Sequence, residues 1–427
     1  MKDLVCDGCS LLCDDVKAEY KEGELKSLGL CRLGHECLEV ALKRNESKSS
    51  IRKSGKSVSA SLDEAVAAAA KILREAKRPL VYGWTRSTND AIKVGLDIAA
   101  SCKAFFDTQA SLGALRAFSS ELHDMNIDYT LDDARNNAEV VIYWGSNPTE
   151  SSHRHVSRFS VLPKGERIPE GVESRAVVVV DVRETETMKI ANHRLVIPFG
   201  SDADIMRAIS GELTGTSSIV EEVAGIPAVE LISLTNKLKN SDSTVFFYGS
   251  GLFASGYASE NLMALKELIE SIRKNGRAAH AMPVASDTNT IGAMQTLNGS
   301  TGFPSAVDYS TGSASNSEGQ NMHSLLLGER FDAALVVGSD IVATLPGELG
   351  ACMSSLPLIY IGPPDGLTPS RATVFIPAGS NMVLTEETML RVDQEPIQLI
   401  PFHKDGNGQL SETEVLRRLL HAVRVRD

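Results

Sequence analysis

Lys77-Arg-Pro-Leu-Val-Tyr-Gly-Trp84 is the stretch on which the reading of the fold turns. Pro79 to Gly83 is a short apolar run closed by glycine, the mark of a buried strand. Ahead of it, residues 62–76 are rich in alanine with apolar positions at helical spacing, and residues 89–102 repeat that spacing behind it. Helix, strand and helix in this order predict β-α-β connections and parallel strands. Further apolar strands are expected at 140–143, 176–182, 244–248, 333–337 and 358–361, separated by segments of helix length. Strands so uniformly apolar predict sheets covered on both faces. The expected class is α/β, with two doubly wound, Rossmann-like units at 57–240 and 241–380 and a C-terminal segment at 381–427. The facing strand ends of the two units would form a cleft.

Upstream, the polar run 43–56 separates this series from a cysteine-rich head, residues 1–56. Four of the seven cysteines fall there at C-x2-C-x3-C-x17-C spacing: Cys6, Cys9, Cys13 and Cys31. Thiolates are soft donors, and four of them can hold an iron-sulfur cluster or a zinc ion. The first three fit one tight loop, and short strands at 15–20 and 24–28 around Lys-Glu-Gly would return Cys31 as the fourth corner. Three alternatives stay open: zinc, a disulfide framework, and replacement of Cys31 by His35 or Cys37. No secretory signal precedes Cys6, which weighs against disulfides. Cys102 and Cys352 sit in apolar contexts and read as core residues.

The 427 residues carry a net charge of -12, and no basic cluster stands out, so nucleic acid is not an expected partner. No apolar run reaches the roughly 18 residues that cross a bilayer. A soluble, cytoplasmic protein is expected. Several expected strands end in small or polar residues: Gly83-Trp-Thr, Gly145-Ser-Asn-Pro, Asp181-Val-Arg-Glu-Thr, Gly249-Ser-Gly-Leu and Gly338-Ser-Asp. Their repetition suits a long dinucleotide-like cofactor met by loop amides and carboxylates, with Ser146, Asn147, Asp181, Arg183, Glu184 and Thr185 as candidates. There is no G-x-G-x-x-G, Walker loop or G-x-S-x-G elbow, which weighs against NAD, ATP and a serine hydrolase. His153 and His155 flank Arg154 and are read as bonding polar groups or a partner chain in preference to a metal.

These stretches resemble the B subunit of formylmethanofuran dehydrogenase, a member of the molybdopterin oxidoreductase superfamily. The resemblance runs through Cys13-Asp-Asp-Val, Cys31-Arg-Leu-Gly-His35, Lys77 to Trp84, Ala138-Glu-Val-Val-Ile-Tyr-Trp-Gly-Ser-Asn-Pro148, His153-Arg-His155, Val180-Asp-Val-Arg-Glu-Thr185 and Gly302-Phe-Pro-Ser-Ala-Val-Asp308. It implies α/β units of the molybdopterin oxidoreductase type and a four-iron, four-sulfur cluster on Cys6, Cys9, Cys13 and Cys31. In that family a loop Ala-Ser-Val-Cys-His-Gly supplies the tungsten or molybdenum ligand. Here the loop reads Ala110-Ser-Leu-Gly-Ala-Leu115, placing Gly113 at the ligand and Ala114 at the catalytic His. A second family loop, Met-Arg-Gly-His, matches Met282-Pro-Val-Ala285 and loses its Arg. Reducing carbon dioxide needs a tuned metal, a cation and a proton donor, none of which glycine, alanine or proline can provide.

The pattern is most similar to the B subunit of the formyltransferase/hydrolase complex of tetrahydromethanopterin-linked one-carbon metabolism. It implies no catalytic residue on this chain, no molybdopterin metal centre, and other subunits of the complex as partners. The four cysteines depart from a wholly redox-silent subunit. An active tungsten or molybdenum dehydrogenase subunit, with Ser111 as an oxygen ligand, and a stand-alone metal-binding module remain the alternatives.

Overall fold

The structure is a computed structural model that describes residues 1–43, 47–111, 129–285, 287–317, 320–403 and 409–425. The chain falls into two compact units. The first comprises Met1–Leu112, Asp287–Arg391 and Pro396–Asp427, and the second Gly113–Ser286 with Val392–Glu395.

The strands, in chain order, are β1 (Lys2–Cys6), β2 (Cys13–Lys21), β3 (Glu24–Leu28), β4 (Ser50–Lys53), β5 (Lys56–Ser59), β6 (Pro79–Gly83), β7 (Phe105–Thr108), β8 (Val140–Trp144), β9 (Ala176–Asp181), β10 (His193–Val196), β11 (Glu222–Val223), β12 (Ile226–Pro227), β13 (Ser243–Tyr248), β14 (Ala278–Pro283), β15 (Val307–Asp308), β16 (Ala333–Val337), β17 (Leu358–Gly362), β18 (Val374–Pro377), β19 (Thr388–Leu390) and β20 (Pro396–Gln398).

The first unit is built on an eight-stranded sheet in the order β15-β7-β6-β16-β17-β18-β4-β5. Its centre, β7 to β18, is parallel, and β15, β4 and β5 close the edges antiparallel. Side-chain alternation explains why these strands are apolar at every position. Val81, Leu335, Val337, Ile359 and Ile361 enter one core with α2 (Leu62–Glu75), α3 (Asn89–Cys102) and the C-terminal helix Glu412–Arg424. Leu80, Tyr82, Ala334, Val336, Leu358 and Tyr360 enter the other. α2 begins at Ser61, whose hydroxyl accepts from Glu64 N while the Glu64 carboxylate accepts from Ser61 N, a capping box. Gly95 in α3 is required by Trp84, because any Cβ there would overlap the indole ring.

In the head, β1, β2 and β3 pair antiparallel, followed by α1 (Arg32–Lys43). Val5 and Leu12 pack on Met389 and Leu399. The second unit has a five-stranded sheet, β10-β9-β8-β13-β14, parallel throughout.

Parallel sheets covered on both faces and the small β head agree with the expected class. The expected division at 240/241 does not follow the sheets. β13 and β14 pair with β8, so the chain leaves the first sheet after β7, completes the second, and returns with β15 to β18. Linear spacing reveals strands but not their neighbours, and the sequence contains no mark of this return. No helix of the described residues is long and apolar enough to cross a membrane.

Candidate functional site

The register of the first hairpin places Cys6 opposite Cys13, with an irregularity after Leu4. Cys9 lies in the intervening turn, where Leu12 N donates to Cys9 O at 3.2 Å and Leu12 takes a left-handed φ of 40°. Cys31 stands just ahead of α1, and Gly34 N points at its Sγ, 3.4 Å away. Two glycines line the sulfurs. A Cβ on Gly34 would sit 2.7 Å from Cys6 Sγ and 3.8 Å from Cys31 Sγ, and one on Gly8 would sit 3.4 Å from Cys6 Sγ.

All seven cysteines are free thiols. Burial pushes the Cys9 thiol up to about 12, and nearby Cys13, Cys31 and Cys37 push the same way. Burial likewise raises Cys6 and the half-buried Cys37. His35 is turned to β3, its Nδ1 2.8 Å from Ser27 Oγ. Among the described residues, no three His, Cys, Asp or Glu side chains form a set that could hold a metal ion.

Asp107, next to last in β7, is fully buried and organises the turn after the strand. Its carboxylate accepts from Thr108 N at 2.9 Å, Ala306 N at 3.0 Å, Met322 N at 3.0 Å and Ser111 Oγ at 2.8 Å. Burial raises its carboxyl despite these donors. Ser111 is therefore turned inward, wedged between Asp107 and the Thr108 carbonyl 2.9 Å away, and its oxygen does not face a ligand. Leu112, Gly113, Ala114 and Leu115 lie outside the described residues. Met282 is buried at the end of β14, and Val284 N donates to Tyr248 O at 2.8 Å.

In the second unit the loop after β8 meets the turn after β9. Ser146 points inward, donating to Phe247 O at 3.0 Å. Asn147 Oδ1 accepts from Thr187 Oγ1 at 2.6 Å and Thr149 Oγ1 at 2.9 Å, while its buried Nδ2 has no partner. Thr185 is buried with its hydroxyl unpartnered. Asp181 Oδ1 accepts from Arg183 N at 3.3 Å. Arg183 and Glu184 are exposed, with Arg183 3.9 Å from Glu150. Thr149, Thr187 and Asp202 belong to this region and were not picked out from sequence. Trp144 Nε1 donates to Asp202 at 2.8 Å, and burial raises the Asp202 carboxyl, with Asp181 adding to the effect. Only the second threonine of the Thr185-Glu-Thr187 repeat offered a signal.

Gly145 and Gly251 join the ends of β8 and β13 directly, with Gly251 N donating to Gly145 O at 2.9 Å. His153 and His155 part company. His155 is buried, its Nδ1 3.2 Å from Tyr143 Oη and 3.1 Å from Ser160 Oγ, its ring edge-on to Phe247. Burial pushes its pKa down to about 3, so it is a neutral core residue.

No protein-family model matches the chain. It is 29% identical, over 432 residues covering 99% of this chain and 98% of the relative, to the B subunit of the tungsten-containing formylmethanofuran dehydrogenase 2 of Methanocaldococcus jannaschii. The protein of the same name from Methanococcus maripaludis is 28% identical over 99% and 98% of the two chains. Among solved structures, the formyltransferase/hydrolase complex FhcABCD of Methylorubrum extorquens, with methylofuran, has a chain that superposes with a TM-score of 0.67 at 17% identity, covering 88% of this chain and 98% of that one. Acetylene hydratase of Pelobacter acetylenicus superposes at 0.69 and 11% identity, covering 99% and 69%. The fold is that of the molybdopterin oxidoreductase type, and the sequence is similar along its whole length to the B subunit of formylmethanofuran dehydrogenase.

Proposed function

We propose that this chain is the B-type subunit of a cytoplasmic formyltransferase/hydrolase complex in tetrahydromethanopterin-linked one-carbon metabolism, keeping an iron-sulfur cluster but having no working tungsten or molybdenum centre. The observation that carries the reading is the loop Ala110 to Leu115, where glycine and alanine replace the thiol and imidazole of the dehydrogenase loop. The inward turn of Ser111 onto Asp107 supports it by removing the remaining oxygen candidate. Met282 to Ala285 contains no cation to stabilise a developing carboxylate.

The head fits a cluster better than a single ion. The Cys6 and Cys31 sulfurs lie against Gly34, where a Cβ would come within 2.7 Å of Cys6 Sγ, Cys13 and Cys31 act electrostatically on Cys9, and among the described residues no three side chains close on one ion. A cube with iron at four corners holds its thiolates further apart than one ion does. Cys6, Cys9, Cys13 and Cys31 would hold it, and when bound it supplies a one-electron couple and the positive charge that lets buried thiols ionise. In the second unit the Asn147 amide, Thr185 hydroxyl and the Asp181 and Glu184 carboxylates suit the polar end of a pterin dinucleotide. Ser146 and Arg183 fit less well, one turned inward and the other paired with Glu150.

The test is metal analysis and assay of the natively isolated complex. About four irons per chain, no tungsten or molybdenum, copurifying transferase and hydrolase subunits, and formylfuran hydrolysis without formate-dependent dye reduction are expected. Stoichiometric tungsten or molybdenum would sink the reading in favour of an active dehydrogenase, the alternative that retention of the four cysteines favours. Iron without copurifying subunits would point to a stand-alone module.

A further inference from the structure

In the first unit, β6 leads through α3 to β7 on one side, whereas β16 leads to β17 on the other, and β6 and β16 are adjacent and parallel. The sheet reverses its winding between them, and the carboxyl ends of two such strands leave an opening. Gly338 follows β16 with φ +73°, and a Cβ there would meet Glu412 Oε2 at 3.1 Å and Ser87 Oγ at 3.2 Å. Ser87 comes from the loop after β6 and Glu412 is the first residue of the C-terminal helix. Both side chains therefore converge over Gly338.

They are 5% (Glu412) and 0% (Ser87) exposed, and Glu412 Oε1 and Ser87 Oγ have no hydrogen-bond partner of good geometry. Ser339, next in sequence, is 7% exposed with its hydroxyl also unpartnered. Beside Glu412 stands a second carboxylate, Glu387, which accepts from Thr413 Oγ1 at 2.6 Å and from Thr88 Oγ1. Burial, and then Glu387, push the Glu412 carboxyl up to about 7 although the Ser87 hydroxyl pulls it down, so Glu412 is charged at mildly alkaline pH. Among the described residues no Lys, Arg or His forms an ion pair with either. Buried charge of one sign needs a counter-charge, and each of the three unpartnered atoms is an oxygen able to accept.

We propose that Glu412, Glu387 and Ser87 form a site for one hard divalent cation of the calcium class. Calcium suits the set better than magnesium, because it tolerates irregular oxygen ligands whereas magnesium requires near-ideal octahedral geometry. The bound ion would fasten the C-terminal helix to the carboxyl ends of β6 and β16. The site uses no thiol and is independent of the functional reading above.

The test is equilibrium dialysis of the full chain against calcium at mildly alkaline pH, with hydrogen exchange read over the helix Glu412–Arg424. One calcium per chain, slower exchange in that helix on adding calcium, and affinity weakened about tenfold or more in Glu412→Gln are expected. Ser87→Ala, which removes one oxygen and no charge, should weaken binding while leaving the fold intact, so a failure of the first variant to fold does not remove the test. Absence of calcium binding in the wild-type chain, or wild-type affinity in both Ser87→Ala and Glu412→Gln, overturns the proposal. Protection of the helix that responds to protons and to no ion overturns it too, because a proton would then take the counter-ion's place.

Discussion

Acidification should loosen the second unit, and His155 should carry a large part of the effect. Its ring is buried against Tyr143, Ser160 and Phe247, and burial lowers its pKa from 6.5 to about 3. The unfolded chain binds this proton first, so the contribution is fully present above pH 6.5 and is lost as pH falls through the window from 6.5 towards 3. At 1.36 kcal/mol per unit the full window is worth about 5 kcal/mol, and the part reached by pH 4 about 3 kcal/mol. His155→Phe removes the titration while keeping the 2.5 Å contact between Tyr143 Oη and Ser160 Oγ, and should cost about 1 kcal/mol at neutral pH for the lost hydrogen bond. The assay is a urea titration at each pH, read by a brief deuterium pulse at one fixed pH over peptides from β8 and β13. Between pH 7 and 4 the wild-type protein should lose about 3 kcal/mol more than the variant. Parallel curves would refute the assignment of His155 as a buried neutral group.

Other substitutions test packing and the candidate site. Gly95→Ala should destabilise the first unit by about 1–3 kcal/mol, because the new methyl overlaps the Trp84 ring; thermal unfolding followed by tryptophan fluorescence measures it. Gly145→Ala places a Cβ 2.5 Å from Leu252 N on a residue with φ +56°, and should release protection in β8 and β13 on hydrogen exchange. Ser111→Ala removes one of four donors to buried Asp107 and should cost about 1 kcal/mol with no change in the metal content of the isolated complex; a change in tungsten or molybdenum would restore Ser111 as a ligand. With the proposed cluster on the head, anaerobic iron chelation should abolish exchange protection in β1 to β3 while leaving β8 to β14 unchanged; protection indifferent to chelation would count against the cluster.

The strands were legible because a parallel strand buried on both faces is apolar at every position, as Leu80, Val81 and Tyr82 illustrate by entering two different cores. The thiol loop was legible because close cysteine spacing leaves few geometries, and Cys6 does face Cys13. Partnership was not. Nothing local to Ser243–Tyr248 says that it pairs with Val140–Trp144, since that is settled by tertiary packing of strands equally apolar. Side-chain direction was hidden as well. Ser146 and Ser111 occupy positions that look open in sequence, yet the nearby Phe247 carbonyl and Asp107 carboxylate draw both hydroxyls inward. Thr187 and Asp202 went unseen because their partners, Asn147 and Trp144, lie 40 and 58 positions away.

The return of the chain to its first sheet also sets a timetable for synthesis. β6 and β7 are made well ahead of β16, which pairs with β6 and follows only after Gly113–Ser286, nearly all of the second unit, has been made. At about 5–20 residues per second the wait is roughly tens of seconds, during which the apolar flank of β6 has no neighbour on that side. The second unit is almost continuous and can close meanwhile. The thiol loop waits longer still: its floor of Met389 and Leu399 lies some 380 positions downstream, so one face of the head stays uncovered until both sheets have been translated.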